Sequence, residues 1–314
     1  MGRASKVSAT VNYFLQVNFF IFYNIMVLIK LKKDVNGSEY KVDPIVISKM
    51  NPDDVCGGEI APVPYCNTVM VAETGSGKSS VLKDLLLRCV GSALVVAFVP
   101  TIDSDPTWLY IRKKLEERGN QFIGFSTLET TVSDSESEVS DDFSMEEFDE
   151  IVVSSTDEKT KSTKIKKINH LKELTKCFLK YPMLNDPKCS SGKICPRIVV
   201  VMDDMREYLK HPSVAEFMSI SRHCKAKFII STQGIHDLPP VALRQVRQWF
   251  IFRGFPKEKV EKIRKDAGIA LDLETFQKIY THATREPFSF LLINKNGNDF
   301  DYWSTFLHQY EFSD

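Results

Sequence analysis

A glycine-containing loop between an apolar segment and a helical pattern constrains this chain more than any other feature. Residues 65–71 are apolar and rich in β-formers, and residues 72–79 follow them as Ala-Glu-Thr-Gly-Ser-Gly-Lys-Ser. From residue 80 to 90, apolar residues recur at helical spacing, and Gly91 is placed to end the helix. The pattern predicts a buried strand, a tight loop and a helix, in that order.

The loop matches the template of a phosphate-binding loop, except that Ala72 stands at the first glycine position. Gly75 and Gly77 allow backbone N–H groups to turn inward around phosphate oxygens, and the helix adds its N-terminal dipole. Lys78 can reach the β- and γ-phosphates, and Ser79 can ligate Mg²⁺. We therefore predict a site for ATP and Mg²⁺. Its cofactor-binding residues are Thr74, Gly75, Ser76, Gly77, Lys78, Ser79 and Ser80.

A second constraint is the strongly apolar segment 198–202, which ends in two carboxylates, Asp203 and Asp204. Two adjacent carboxylates at the end of a buried strand are unfavourable unless they meet a cation. We predict that Asp203 holds Mg²⁺, directly or through water, and that Asp204 polarises the attacking water. The alternative, a strand that ends in an Asx turn, explains one aspartate better than two.

Strand-like and helix-like segments alternate on both sides of these motifs. Residues 93–99 form a continuous apolar run bounded by Pro100, which is typical of a strand buried on both faces. A helical pattern and a further apolar segment follow it at residues 108–117 and 121–125. The alternation predicts an α/β fold with a central, mostly parallel sheet flanked by helices.

Two polar residues near the next predicted strand, residues 227–231, complete the candidate catalytic set. Gln233 follows that strand, where an amide can sense the γ-phosphate or the attacking water, although a plain turn residue is the alternative. Arg222 precedes the strand and is a candidate sensor, or a finger that reaches a neighbouring subunit's phosphate. Its competitors are Arg244, Arg247 and Arg253, and for each of these arginines a surface ion pair is the alternative.

Four motifs in this order resemble those of the FtsK–HerA class of P-loop motor ATPases. They are the loop at residues 72–79, Asp203-Asp204, Ser221-Arg222-His223 and Ser231-Thr232-Gln233. Within the class, the chain looks most like the DNA-packaging ATPases of large DNA viruses of the poxvirus type and of Polinton-like elements. The resemblance covers about residues 64–306 without an internal insertion, and the layout from Arg222 to Gln233 is its most specific part.

The resemblance implies a RecA-like (ASCE) P-loop NTPase core, a homo-oligomeric ring, and ATP-driven translocation of double-stranded DNA into a preformed capsid. It also implies docking on a capsid or portal protein, and a finger arginine that is carried onto Arg222. The chain departs from the family pattern at Ala72, in the insertion between the two nucleotide motifs, and in having no recognisable basic C-terminal DNA-binding domain.

We divide the chain into an apolar extension (residues 1–33), an ATPase domain (34–306) and a C-terminal tail (307–314). Within the domain, residues 127–164 form a low-complexity insertion that is first acidic and then basic, which predicts a solvated surface loop. A regulatory or DNA-mimicking segment is the alternative interpretation of this insertion.

The apolar segment 11–31 is long enough to span a bilayer. It also carries four amides that are unfavourable in hydrocarbon, namely Asn12, Gln16, Asn18 and Asn24. A membrane anchor, a packed helix or strand, and a poorly ordered extension therefore all stay open.

The chain carries 41 basic and 41 acidic residues, so its net charge gives no global footprint for nucleic acid. Any DNA contact must be local, and the basic pattern at residues 256–266 is either a solvated helix or a DNA-facing one.

Seven cysteines without a CxxC pair indicate reduced thiols in an intracellular protein. The expected location is the host cytoplasm, at a viral factory, or the nucleus, with association with the virion as a further option.

Three other functions compete with a translocase. A helicase or recombination-type ATPase would act on single-stranded nucleic acid. A nucleotide switch or scaffold would not need both Lys78 and the paired carboxylates, and a small-molecule kinase would show an arginine-rich lid where this chain is acidic.

Overall fold

The computed structural model describes residues 25–27, 44–46, 51–91, 93–133, 150–151, 165–181, 185–296 and 299–311. The chain divides into two compact units, Met1–Lys49 and Met50–Asp314. In the first unit, β1 (Ile25–Val27) pairs antiparallel with β2 (Pro44–Val46). Most of the apolar segment 11–31 and the predicted boundary after residue 33 lie outside the described residues. Among the residues that are described, no helix has the length and apolar character that crossing a membrane requires.

The second unit alternates strands and helices, as the sequence predicts. Its strands are β3 (Asn67–Val71), β4 (Leu94–Phe98), β5 (Phe122–Phe125), β6 (Glu129–Ser133), β7 (Glu150–Ile151), β8 (Ile165–Asn169), β9 (Ile198–Asp203), β10 (Ala226–Thr232), β11 (Val246–Phe252), β12 (Phe290–Asn296), β13 (Asp299–Ser304) and β14 (His308–Gln309). Its helices are α1 (Lys78–Cys89), α2 (Pro106–Glu117), α3 (His170–Lys180), α4 (Pro212–Ile220), α5 (Pro240–Leu243), α6 (Lys257–Asp266) and α7 (Leu273–Ala283).

Nine of these strands form one sheet in the order β14-β13-β12-β11-β3-β10-β9-β4-β5. The six strands from β11 to β5 pair in parallel, and β12 to β14 add an antiparallel edge. The predicted α/β fold with a mostly parallel central sheet is therefore confirmed. One strand, β10, lies between β3, which leads into the glycine loop, and β9, which ends in the paired carboxylates.

The central strands are buried on both faces, which explains why they are continuous apolar runs in the sequence. Alternate residues of β3 face opposite sides, so that Val69 and Val71 join one apolar cluster and Met70 joins the other. The cluster around Met70 includes residues of α1 and α2, whereas the cluster around Val69 includes residues of α3, α4, α6 and α7. The sheet is thus a middle layer between two layers of helices.

Some elements differ from the sequence-based expectation. β6 lies inside the range predicted as an insertion, because the β-branched Thr130 and Thr131 pair with β8 in a small antiparallel sheet. α3 begins at residue 170, where the Asn169 side chain caps it by accepting from the Lys172 N–H. The remainder of the insertion, residues 134–149 and 152–164, lies outside the described residues.

A buried amide joins three elements at the amino ends of the strands. The Nδ2 atom of Asn67 donates to the carbonyls of Met218 and Gln245 at 2.8 and 3.1 Å. Its Oδ1 atom accepts from the Ser221 hydroxyl at 2.9 Å. Asn67 therefore links β3 to the end of α4 and to the segment before β11.

Replacing Asn67 with alanine should lower the free energy of unfolding by about 2–4 kcal/mol, because buried carbonyl and hydroxyl groups lose their partners. Urea unfolding followed by circular dichroism measures the change. The exposed Asn185 provides a control, for which Asn185→Ala should change stability by less than about 0.5 kcal/mol. Equal effects of the two substitutions would contradict the linking role of Asn67.

Candidate nucleotide-binding site

The phosphate-loop geometry is built where β3 leaves the sheet. The Ser76 N–H and hydroxyl both donate to the Glu73 carbonyl, at 3.2 and 2.6 Å, which closes a tight turn. Gly75 and Gly77 have φ angles of +79° and +92°, a conformation that L-residues with side chains adopt with strain. Gly77 is the residue before α1, so α1 begins directly after this left-handed residue.

The loop presents backbone donors to whatever it surrounds. Among the described residues, the N–H groups of Gly75, Gly77 and Lys78 have no hydrogen-bond acceptor. Such groups at the start of a twelve-residue helix form a ready anion site, strengthened by the helix dipole. Of the seven predicted loop residues, 74–77 form the turn and 78–80 begin α1, and Thr74 and Ser80 at the two ends of this run are exposed.

Lys78 connects the loop to the paired carboxylates. Its Nζ atom lies 2.6 Å from Asp204 Oδ1 and 3.4 Å from Asp203 Oδ1. Lys78 and Asp203 are buried, whereas Asp204 is half-exposed at the opening of the site. Asp204 has a φ of +53°, which is tolerable for an aspartate, and its N–H donates to the Ser231 carbonyl. The two sequence motifs thus meet through one lysine.

A tryptophan that the sequence analysis did not single out orients Asp203. Trp108, in the first turn of α2, is buried, and its Nε1 atom donates to Asp203 Oδ2 at 3.1 Å. This hydrogen bond holds one carboxylate oxygen, so the other is directed at Lys78. The available signal was Asp105-Pro106, a capped helix start that places Trp108 beside the carboxyl ends of the strands.

The residues present fit a magnesium ion. Oδ1 of Asp203 is buried and makes no hydrogen bond among the described residues, and a hard cation prefers such an oxygen. Ser79, in the first turn of α1, can supply a second oxygen. No group of three or more histidine, cysteine or acidic side chains in the described ranges could hold a metal. Asp203, Ser79 and phosphate oxygens would therefore share the ion, as Mg²⁺ sites commonly do.

Gln233 follows β10 and so lies at the sheet edge between the loop and the carboxylates. Within the sheet, Ser231 is in register with Asp203 on one side, and Thr232 with Val71 on the other. The Gln233 side chain is exposed, and its carbonyl accepts from Lys259 Nζ at 3.2 Å. The structure therefore places Gln233 as the sequence predicts, although its catalytic role stays a prediction.

A buried carboxylate holds the segment that carries Gln233. Asp237 is buried, and its two oxygens accept from the Thr232 hydroxyl at 2.7 Å and from Arg206 Nε at 2.9 Å. Arg206 comes two residues after Asp204, so this network ties the Gln233 segment to the paired carboxylates. Sequence reasoning missed both Arg206 and Asp237, because neither belongs to a recognisable motif.

The structure does not bring Arg222 to this site. Arg222 lies in the turn between α4 and β10, at the amino ends of the parallel strands. The seven residues of β10 separate it from the loop by roughly 20 Å. Its predicted role therefore concerns the nucleotide of a neighbouring subunit, and stays a prediction.

Among the competing arginines, Arg253 follows β11 at the same edge as the loop. Gly254, with a φ of +113°, packs so closely on the loop that an added Cβ would lie 3.0 Å from Glu73 Oε2. Burial raises the pKa of Tyr280, and this phenol donates to the Phe252 carbonyl and accepts from the Phe255 N–H. The turn that carries Arg253 is therefore fastened beside the nucleotide site.

The glycine loop, its lysine and the two carboxylates thus meet at one edge of the sheet. No protein-family model and no curated protein matches the sequence. Among solved structures, the chain is similar to B204, the DNA-packaging ATPase from Sulfolobus Turreted Icosahedral Virus. The identity is 15% and the TM-score 0.44, over 76% of this chain and 97% of that one.

Two further solved structures show the same kind of similarity. The genome packaging NTPase B204 from Sulfolobus turreted icosahedral virus 2, in complex with ATP-gammaS, has 15% identity and a TM-score of 0.42, over 76% of this chain and 97% of that one. EssC (ATPases 2 and 3) from Geobacillus thermodenitrificans has 11% identity and a TM-score of 0.38, over 87% of this chain and 43% of that one.

Trp108→Phe should weaken the Mg²⁺ dependence of ATP hydrolysis by roughly 10- to 100-fold, because Asp203 loses the partner that orients it. A magnesium titration of hydrolysis measures this effect. Trp303→Phe is the matched control, since the Trp303 indole nitrogen has no hydrogen-bond partner among the described residues. If both variants behave alike, the Trp108 hydrogen bond does not position the carboxylate.

Arg206→Ala should lower kcat roughly tenfold while the Kd for ATP stays unchanged, because the Asp237 network then no longer holds the Gln233 segment in place. Steady-state kinetics and equilibrium ATP binding separate the two quantities. Arg112→Ala, which removes an exposed pair with Glu116, is the control. A loss of ATP affinity equal to the loss of kcat would argue against a positioning role.

Proposed function

We propose that this protein is a Mg²⁺-dependent ATPase that drives double-stranded DNA into the capsid of a virus or virus-like element. The proposal of ATPase activity rests on the position of Lys78 Nζ, which lies between Asp203 and Asp204 beside the glycine loop. A lysine so placed can exchange its carboxylate partners for phosphate oxygens when a nucleoside triphosphate enters.

We assign the residues of the site to separate roles in hydrolysis. Backbone N–H groups of the loop and Lys78 bind the phosphates, and Lys78 balances charge on the γ-phosphate. Mg²⁺, when bound by Asp203 and Ser79, neutralises charge that develops on the phosphate oxygens. Asp204, half-exposed beside the lysine, is placed to orient a water molecule and accept its proton.

Gln233 offers a route from the site to the rest of the molecule. Its backbone carbonyl accepts from Lys259 on α6, and the Lys259 ammonium lies 4.1 Å from the centre of the Phe255 ring. A change at Gln233 on loss of the γ-phosphate would therefore reach α6 directly. We propose this contact as the first step in coupling hydrolysis to movement.

The basic helix α6 is a weak candidate for the DNA contact itself. Lys259 is engaged as described, Lys265 pairs with Glu261 at 2.7 Å, and Arg264 donates to the carbonyls of Ile269 and Leu271. Three of its five cations therefore serve the fold. The proposal of DNA translocation is supported instead by the resemblance of the four sequence motifs to packaging ATPases.

The same resemblance supports a homo-oligomeric ring that docks on a capsid or portal protein, in the cytoplasm or nucleus of the infected cell. A ring gives Arg222 a function that the single chain does not provide. From the amino-end edge of its own sheet, Arg222 would reach the nucleotide held by the adjacent subunit.

The proposal predicts that long duplex DNA stimulates ATP hydrolysis by the full chain more strongly than single-stranded DNA does. Asp204→Asn should lower the stimulated rate by about 100-fold or more, because a general base is lost. Asp53→Asn makes the same substitution at an exposed position outside the site and should leave the rate unchanged. The steady-state rate of phosphate release is measured for the wild type, Asp204→Asn and Asp53→Asn.

Two results would contradict parts of the proposal. Stimulation by single strands alone would favour the helicase-type alternative. Hydrolysis that is unaffected by Asp204→Asn would show that Asp204 is not the base.

Arg222 acting across a subunit boundary can be tested by mixing two inactive variants. Lys78→Ala removes nucleotide binding, and Arg222→Ala removes the proposed finger. In mixed rings, an Arg222→Ala subunit with an intact site can border a Lys78→Ala subunit with an intact Arg222. Mixing should therefore restore part of the activity, whereas no recovery in confirmed mixed rings would rule out the finger role.

A further inference from the structure

An aromatic side chain lies directly against the phosphate loop. Phe288 belongs to the turn between α7 and β12, and a Cβ added to Gly77 would lie 3.1 Å from its Cδ1 atom and 3.2 Å from its Cβ atom. The ring therefore sits beside the residue that leads into α1. None of the phosphate chemistry assigned to the loop uses this side chain.

The backbone of Phe288 has a conformation that a bulky side chain disfavours. It has a φ of +62°, which is a genuine outlier for a bulky residue, and it is 67% exposed. Burial of its ring within this chain does not explain the strain. Backbone strain at an exposed side chain beside a ligand site points to a role in holding that ligand.

The turn is rigid enough to keep the ring in place. The Ser289 hydroxyl and N–H both donate to the Glu286 carbonyl, at 2.5 and 3.3 Å. The Ser289 carbonyl accepts from the Arg253 N–H, and the Thr284 hydroxyl donates to the Tyr280 carbonyl. Phe288 is thus presented from a turn that is bonded to both α7 and the end of β11.

The strand order decides which part of a nucleotide Phe288 would meet. The γ-phosphate must lie near Lys78 and the carboxylates at the end of β9. Phe288 precedes β12, which lies on the other side of β3 from β9 in the sheet. A triphosphate bound along the loop therefore extends its nucleoside end toward the Phe288 side.

We propose that Phe288 stacks on the nucleobase and forms the base subsite of this ATPase. The inference rests on the proposed function, because it requires a nucleoside triphosphate in the loop. Stacking uses the π-face that every base has, and it tolerates differences in the hydrogen-bonding edge. Stacking by itself does not discriminate between adenine and guanine.

Calorimetric titration of the full chain with Mg²⁺ and either ATP or inorganic tripolyphosphate tests this subsite. Phe288→Asn should weaken ATP binding roughly tenfold or more and leave tripolyphosphate binding unchanged, because only the base contact is lost. Asparagine tolerates the left-handed backbone, so the turn is retained. Tyr181→Asn is the matched control, since Tyr181 is an exposed aromatic whose carbonyl accepts from Arg197, the residue before β9, at the opposite edge of the sheet.

A second variant detects the contact between residue 288 and the base by fluorescence. In Phe288→Trp, ATP and GTP should quench the added indole fluorescence, measured against the wild type, and tripolyphosphate should not. Equal weakening of ATP and tripolyphosphate in Phe288→Asn, or no weakening of either, would overturn the base subsite. If the wild type binds neither ligand, the proposed function fails, and the subsite fails with it.

Discussion

The ion pairs of Lys78 with Asp203 and Asp204 are the interaction on which the rest of this site depends. A buried lysine beside two carboxylates is stable only while each charge has a partner, and the three groups provide this for one another. Phosphate oxygens and a divalent cation can replace both halves of the arrangement, because they carry the complementary charges. The chain thus keeps these three groups paired and close together, and binding of the proposed ligands would redistribute those pairings.

The parallel sheet makes this possible by bringing distant residues to one edge. β10 separates the loop strand from the carboxylate strand, which places Gln233 between the two motifs. Beyond β3, the turns after β11 and before β12 place Arg253 and Phe288 on the other side of the loop. One row of strand ends therefore carries the groups proposed for catalysis, sensing and base binding, although they are up to about 215 residues apart in the chain.

Much of this arrangement was predictable, because it rests on local patterns. The glycine loop, the apolar strands and Asp203-Asp204 are each visible in a short window of sequence. Trp108, Arg206 and Asp237 were not predictable in this way, since they act through side-chain contacts that arise only when separate elements pack. β6 was missed because its partner strand lies beyond a long charged segment, and the location of Arg222 at the opposite edge follows from strand direction rather than from its motif.

A structure of the protein with Mg²⁺ and a non-hydrolysable ATP analogue would test the roles proposed for Lys78 and Asp203. Lys78 Nζ should leave Asp204 for the β- and γ-phosphate oxygens, and Asp203 should turn its Oδ1 atom to the metal. Trp108 should keep its hydrogen bond to the other oxygen of Asp203. An analogue bound away from the loop, or a Lys78 that stays paired with Asp204 while nucleotide is bound, would contradict these roles.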